Sequence, residues 1–509
     1  MPRLRNFPLR QCWVPRSLSG ILLTIVVAAT IAAIASGCTV GPNYKRPAAV
    51  APAKWDVAEP WRESAPKDAF PKGEWWSVFR DDELNALETQ ALAENQTLKV
   101  ALAHLEQARA TAAIQISTLF PTVSTAPSAE RQRLSGTRPP NSNIVVTSPV
   151  TQNVYTLPFT VSYEVDLFGR RRRSIEAAAA SYQANAADAE NVRLLVTSQV
   201  AGDYFNLRQL DAELGILNRT VEALQKGLDL VNSRHNGGVA SGLDVAQEET
   251  LLRTTQTQAQ LRLQQRKSFE DAIAVLIGRP APDFHLPSNE LNAAAPPPLN
   301  AGLPSDLLER RPDVATAERE MASANAQIGA AKAAYYPTID LFATAGPQVT
   351  DFAKIANLSS MFWAVGANVS ESIFTGGARR AQVQFAQAGF DANVANYRAT
   401  VLNAFREVQD DLTALDVFIQ AQQTQQQAVD AAQRTLDIST NRYTGGLESY
   451  LDVVTAQQNL LSNQQELVNI QGQRLTTSVL LVKALGGGWD ASSLAAIQVK
   501  AKLRDIIAP

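Results

Sequence analysis

Residue types that do chemistry are sparse in this chain of 509 residues. Its histidines, His104, His235 and His285, lie far apart and at no metal-ligand spacing. No Ser/His/Asp set, Cys/His pair or phosphate-binding loop supports an enzyme. The spacing that does recur is Ser-x-x-Asp, first as Ser241 and Asp244, then as Ser449 and Asp452. Its chemistry is helix capping. The serine accepts from an early backbone N–H of a helix, and the acid reaches back to the serine N–H. Both copies belong to a longer stretch that occurs twice. Arg234-His235-Asn236-Gly237-Gly238-Val239-Ala240-Ser241-Gly242-Leu243-Asp244-Val245 aligns without a gap on Arg442-Tyr443-Thr444-Gly445-Gly446-Leu447-Glu448-Ser449-Tyr450-Leu451-Asp452-Val453. The glycine pair suits the left-handed position past a helix C-terminus. Each copy is therefore expected to be a tight reversal between two long helices, with a capping box opening the second.

The other reactive residues are Cys12 and Cys38, both near the N-terminus, so a disulfide framework is excluded. Arg3, Arg5, Arg10 and Arg16 form a basic region, an apolar run follows over residues 18–34, and Ala35-Ser36-Gly37-Cys38 closes it. This is the pattern of a secretory signal, and its end resembles a bacterial lipobox. Cys38 is then the first mature residue and carries a covalent lipid, an N-acyl diglyceride or palmitate, with no other cofactor expected. The alternative, a transmembrane anchor, is disfavoured because the run is short for a span. The formal charge of −3 falls to about −7 on cleavage. With no basic stripe, nucleic acid is not an expected partner. No later stretch is apolar enough for a membrane helix, so entry into a membrane requires a closed β-barrel.

The elements that position the two turns follow from periodicity. Residues 38–83, with Pro, Ala and Trp scattered through them, read as an extended, irregular segment lying on another surface. Leu84, Leu87, Ala91, Leu98, Leu102 and Leu105 recur at helical spacing up to Leu119. Phe120-Pro121 stops that helix. Phe159, Val161, Tyr163, Val165 and Leu167 then alternate with Thr160, Ser162, Glu164 and Asp166, a strand with one apolar face and one acid-bearing face. A polar, Pro-rich stretch at 131–148 separates it from a weaker strand beginning at Pro121. No proline occurs between Pro158 and Pro280, and a helix of roughly 60 residues, about 90 Å, is expected before the first turn. A second helix then runs to about Ile277. After the Pro-rich linker the plan repeats, from a helix at 305–334. Tyr335-Tyr336-Pro337-Thr338-Ile339 matches Leu119-Phe120-Pro121-Thr122-Val123, and Ile373-Phe374-Thr375-Gly376-Gly377 matches Leu167-Phe168-Gly169. Trp363, Val365, Ala367 and Val369 supply the second alternating strand. Phe120, Phe168, Tyr335, Tyr336 and Phe374 fall at the strand–helix junctions, where an interfacial aromatic belt or core packing is expected. Tandem self-similarity thus divides the chain into a signal (1–37), an extended N-terminal segment (38–83), a first repeat (84–288), a linker (289–304), a second repeat (305–486) and a tail (487–509).

Four strands cannot close a barrel, since small barrels need about eight. Yet each strand has one lipid-like and one polar face. The conflict resolves if three copies each give four strands to one twelve-stranded barrel. The fold class is then mainly α with a β-barrel part, in which the long helices form a second, helical cylinder below the membrane.

Cys38-Thr39-Val40-Gly41-Pro42-Asn43-Tyr44, Tyr163-Glu164-Val165-Asp166-Leu167-Phe168-Gly169 and Lys483-Ala484-Leu485-Gly486-Gly487-Gly488-Trp489 resemble the outer membrane factor (TolC-like) family. They are most similar to its NodT/OprM-type efflux lipoproteins, and the resemblance covers nearly the whole mature chain. It implies a homotrimer with a twelve-stranded outer-membrane barrel continued by a periplasmic α-helical barrel. It implies a passive export duct for drugs or other small molecules. The implied partners are a periplasmic adaptor (membrane fusion) protein, an inner-membrane pump, often of the resistance-nodulation-division type, and outer-membrane lipid. The resemblance places the periplasmic gate at Leu451, Asp452 and Thr455. Leu451 falls on an apolar ring and Asp452 on an acidic one. Thr455 stands where other members often carry a second aspartate, a departure that speaks against a double acidic ring. One acid per chain becomes three around an axis, where like charges focus the field. Capping is the other role open to Asp452, shared by Asp244, and the two roles are compatible. Arg234 and Arg442 are candidates for pairing with acids, Asp244 among them, across neighbouring tips. A cation favouring a helix C-terminus is the plainer reading. Gly238, Ala240, Ser241 and Gly242, with Gly446 and Leu447 in the second turn, are the expected adaptor-contact tips. The small residues let another helix tip approach; a plain tight turn is the alternative. A periplasmic coiled-coil scaffold or adaptor is the rival function, and the duplicated strands argue against it.

Overall fold

The computed structural model describes residues 39–47, 55, 73–136, 148–289, 291 and 307–495. The expected signal, Cys38, most of the polar stretch between the first strands, most of the linker and the end of the tail lie outside the described residues.

Helices α1 (Asp82–Glu94) and α2 (Gln96–Ser117) precede strands β1 (Thr122–Thr125), β2 (Ser128–Leu134), β3 (Val150–Thr156) and β4 (Phe159–Val165). Helix α3 (Arg170–Asn236) and helix α4 (Gly242–Leu276) form the first hairpin. The second half gives α5 (Leu307–Arg310), α6 (Pro312–Ala333), β5 (Thr338–Val349), β6 (Met361–Ser370), and the hairpin of α7 (Ala378–Thr444) and α8 (Tyr450–Ala484), before a last turn, α9 (Ser492–Ala495). Both long helices have 67 residues and both return helices have 35, so the tandem repeat is one of dimensions as well as motifs. At 1.5 Å per residue the long helices span roughly 100 Å.

The helix expected over 84–119 is two helices. Asn95 breaks it with an extended backbone (ψ 125°), and its side chain accepts from the Leu98 N–H while donating to the Leu276 carbonyl. The break thus lies where the end of α4 meets the start of α2. Gly278, at φ +73°, backs onto the Glu94 carbonyl at the same joint. The second repeat builds its equivalent at Arg311, whose buried guanidinium donates to the Ala484 carbonyl at the end of α8 and pairs with Asp313 and Glu407. There Gly486, at φ +89°, backs onto the Arg310 carbonyl. The helix expected from Ser305 is likewise split at Arg311. Each long helix is therefore flanked by shorter helices meeting at one level, where the main core lies. Leu207, Ile273, Val314, Met321, Val408 and Val482 are among its buried members.

The N-terminal segment is partly as expected and partly not. Residues 39–47 lie in extended form against the helices. The Val40 N–H donates to the Phe168 carbonyl, buried Arg173 donates to the Val40 carbonyl and to Asn43, and Asn325 donates to the Pro42 carbonyl. Tyr44 donates to Glu318 at 2.5 Å. Residues 74–79, however, do not lie on a surface. A 3-10 turn over Trp75–Phe79 drives Trp75, Trp76 and Phe79 into the main core.

Just below the core, Asp211 gathers Arg208 (2.8 Å), Arg266 (2.6 Å) and the Ser288 hydroxyl (2.9 Å), pinning the start of the linker to the first hairpin. Replacing Asp211 with Ala takes the shared acid from two buried guanidinium groups, which keep Glu83 and Glu270, and the expected loss is about 1–3 kcal/mol. Thermal unfolding followed by circular dichroism checks this against wild type.

Candidate functional site

The two turns fold alike as far as their glycines. Gly238 (φ +77°) and Gly446 (φ +73°) take the left-handed position, and the next residues, Val239 and Leu447, donate back to the Arg234 and Arg442 carbonyls at 2.8 and 2.9 Å. They then diverge. Ser241 accepts from the Asp244 N–H and Asp244 accepts from the Ser241 N–H, so the expected capping box is present in the first turn. In the second it is not formed. Ser449 makes no cap bond and its hydroxyl instead donates to the Asp452 carboxylate at 2.7 Å. The capping role weighed for Asp452 is corrected accordingly: its carboxylate is oriented by a serine hydroxyl, at the exposed first turn of α8. Leu451 and Thr455 are exposed beside it, Leu451 at 54%. The Thr455 hydroxyl is tied to the Leu451 carbonyl, as their spacing of one helical turn allows.

The two arginines part company as well. Arg442 pairs with Glu448 of its own tip at 3.0 Å. The Arg234 guanidinium lies 4.9 Å from the centroid of the Tyr443 ring, and so links the first hairpin to the second within one chain. Tyr443 in turn packs on Tyr450 at 4.8 Å, and both enter a small core with Leu224, Leu228, Leu252 and Val453. Sequence reasoning missed this seam. Its signal was Tyr443 and Tyr450 replacing polar or small residues of the first copy. At the apex, a Cβ added to Gly238 or Gly446 would meet nothing within 4 Å. Ser241, Gly242 and Leu447 are exposed and Ala240 is half-buried.

At the other end the strands make one four-stranded antiparallel meander. β1 continues into β2 and β3 into β4 across interruptions at Pro127 and Pro158, which lack the N–H a ladder needs. β5 pairs with both β3 and β4, joining the repeats, and β6 pairs with β5. The register sets Val123, Val161, Ala343 and Val365 side by side, with Phe159, Ala345 and Trp363 in the next rung but one. This face is apolar and open: Trp363 is 78% exposed and Val365 71%. The opposite face carries Thr160 and Thr344, and Ser162 beside Phe342, whose ring lies over Gly366. β1–β2 and β6 are the sheet's outer edges, unpaired among the described residues.

The acids at that end of the sheet are paired. Glu164 takes a bidentate bond from Arg170 and a further one from Arg171. Asp166 accepts from the backbone N–H groups of Arg171 and Arg172, and so caps α3 across Gly169 (φ +80°). Glu371 with Arg379 repeats the pairing in the second half. Of the junction aromatics, Phe168 and Tyr336 stack at 4.6 Å while Phe374 is 89% exposed.

The architecture has known counterparts. The family described as outer membrane efflux protein matches residues 87–279 and 303–487, one segment for each repeat. The chain belongs to that family. It is 35% identical over 463 residues to the solvent efflux pump outer membrane protein SrpC of Pseudomonas putida, covering 90% of this chain and 96% of that one. It is 33% identical to the pyoverdine export outer membrane protein OpmQ of Pseudomonas aeruginosa, covering 87% and 92%. Among solved structures it superposes on the outer-membrane channel OprN with a TM-score of 0.82 at 28% identity, covering 89% of this chain and all of that one. The Campylobacter jejuni CmeC channel gives 0.81 at 25%, covering 89% and 96%. As a member, the chain is the outer-membrane channel component of an efflux system, a duct and not an enzyme, and it spans outer membrane and periplasm. Such a component works with adaptor and inner-membrane pump partners.

The asymmetry of the two turns is testable by amide hydrogen exchange. Ser241→Ala removes a real cap, worth about 1 kcal/mol, and exchange in the first turn of α4 accelerates roughly fivefold. Ser449→Ala leaves exchange in the first turn of α8 close to wild type.

Proposed function

We propose that three copies of this chain assemble into one passive export duct, lipid-anchored at Cys38, with its periplasmic end closed by the hairpin tips. The observation that carries this is the sheet: four strands, two unpaired edges, one apolar face open to the surroundings. Unpaired edges in hydrocarbon leave backbone groups unsatisfied, and joining edge to edge with two further copies satisfies them while turning the apolar face to lipid. The ordered path from Thr39, which packs against Gly169 at the strand–helix junction, supports an anchor at the preceding residue.

The gate is assigned to Leu451, Asp452 and Thr455, which share an exposed turn of α8. Leu451 gives an apolar constriction and Asp452 a charge ring. Asp244, Arg234 and Arg442 brace the tips. Gly238, Ala240, Ser241 and Gly242 in one turn, with Gly446 and Leu447 in the other, receive a periplasmic adaptor that connects to a pump, of the resistance-nodulation-division type. Relatives bear names for toluene, solvents, antibiotics and pyoverdine. Such breadth on one fold fits a duct that passes small molecules chosen elsewhere.

Light scattering of the detergent-purified protein is expected to give the mass of a trimer, and a monomer would sink the assembly. Cys38→Ser is expected to abolish palmitate labelling; retained label would place the lipid elsewhere. In planar bilayers Asp452→Ala is expected to weaken block by divalent cations, and currents identical to wild type would remove Asp452 from the gate.

A further inference from the structure

We infer that Glu248 is a further gate residue, a carboxyl that seals the seam between the two hairpins of one chain when protonated and opens it when ionised. The inference rests on the reading of the tips as a gate, and concerns what holds one chain's two tips together.

Glu248 lies on α4, on the side turned to the second hairpin, and is wholly buried within a single chain. Assembly with other copies cannot expose it. Neither carboxylate oxygen has a hydrogen-bond partner among the described residues. On α3 its neighbour is Gly227. Any Cβ there would overlap Glu248 Oε1, and it would also lie 3.5 Å from the Tyr450 hydroxyl. The glycine therefore makes the room the carboxyl occupies. On α8 the Tyr450 hydroxyl and the Gln457 amide face it. On α7 Tyr443 packs against Tyr450. The surrounding wall is apolar: Leu224 and Leu228 from α3, Leu251 and Leu252 from α4, Val453 and Val454 from α8. The charged groups closest to this set are Arg234, spent on the Tyr443 ring, and Asp244, whose charge acts on both tyrosines.

A carboxylate in such a place is costly without a cation or full hydrogen bonding. A proton removes that cost. It also supplies a donor where Glu248 Oε1, Oε2 and Gln457 Oε1 are all buried acceptors without a partner. Burial accordingly raises the Glu248 pKa from its ordinary value, with Tyr450 and Gln457 opposing. Opening the seam to water removes that rise. The closed seam is thus fully stable below the ordinary carboxylate pKa and loses stability as pH rises from there through the raised value. Asp411, pushed up to about 7 by burial and then by the charges of Glu407 and Asp410, titrates at the level of the main core. Substitution at Glu248 is therefore what isolates the seam.

The test uses the full-length, detergent-purified protein carrying spin labels at Asn236→Cys and Thr444→Cys, exposed positions at the ends of α3 and α7, diluted with unlabelled chains. Electron–electron distances are read from pH 4.5 to pH 8.5. Wild type is expected to move from one short distance to a longer one as pH rises. Glu248→Gln, neutral and of the same shape, is expected to lose that shift and stay short. Tyr450→Phe, which removes the hydroxyl that faces the carboxyl and favours its ionised form, is expected to move the midpoint to higher pH. A shift that survives in Glu248→Gln overturns the proposal, as does a wild-type distance that ignores pH. Conductance in planar bilayers is the second readout, rising over the same range in wild type and flat in Glu248→Gln. A distance change without a conductance change overturns the place of Glu248 in the gate. No current from any variant counts against the duct itself, and the distances still decide the seam.

Discussion

A helix of 67 residues cannot stabilise itself; every stretch of α3 and α7 needs an apolar flank to lie against. The chain meets this constraint twice in the same way. Along each long helix it lays two shorter ones that meet near the middle, α4 with α2 in the first repeat and α8 with α6 in the second. The joints are built from what a helix end demands. Carbonyls at the ends of α4 and α8 receive side-chain donors from Asn95 and Arg311, and left-handed glycines at 278 and 486 turn the chain away. The main core and the aromatic turn at Trp75–Phe79 fill the space around these joints.

The transition from sheet to helix obeys a different constraint, charge. One acid on the last strand of the first hairpin and another just past its end meet four consecutive arginines that begin α3. Each partner is used: Glu164 by Arg170 and Arg171, Asp166 by the helix N-terminus and Arg172, and Arg173 by the carbonyls of the N-terminal segment. The acids hold the helix at a fixed angle to the strand, and so carry the geometry of the membrane part into the periplasmic part.

Much of this was legible in the sequence because it follows from period and punctuation. The change from 3.6 to 2 at Pro121, the proline-free runs and the doubled glycine turns locate the strands and hairpins to within a few residues. What escaped depended on partners distant in sequence. Asn95 reads as an ordinary helical residue until Leu276 is beside it. Trp75 and Trp76 read as part of a loose segment because nothing local shows the core they enter. The two Ser-x-x-Asp motifs read as equivalent. Glu448 and Tyr450 replace Ala240 and Gly242, and the second serine turns its hydroxyl to the carboxylate instead of to the backbone. Glu248 sits in a polar-looking run, Gln247-Glu248-Glu249, and only the neighbouring hairpin makes it interior.

The joints between abutted helices have a mechanical corollary. A rod made of one unbroken helix beside two that merely touch is stiff along each half and most compliant where they touch. Both repeats put that weak plane at one level, between the membrane sheet and the tips. A lateral load at the tips would therefore pivot each lower hairpin as a lever about a common equator, leaving the strands above undisturbed.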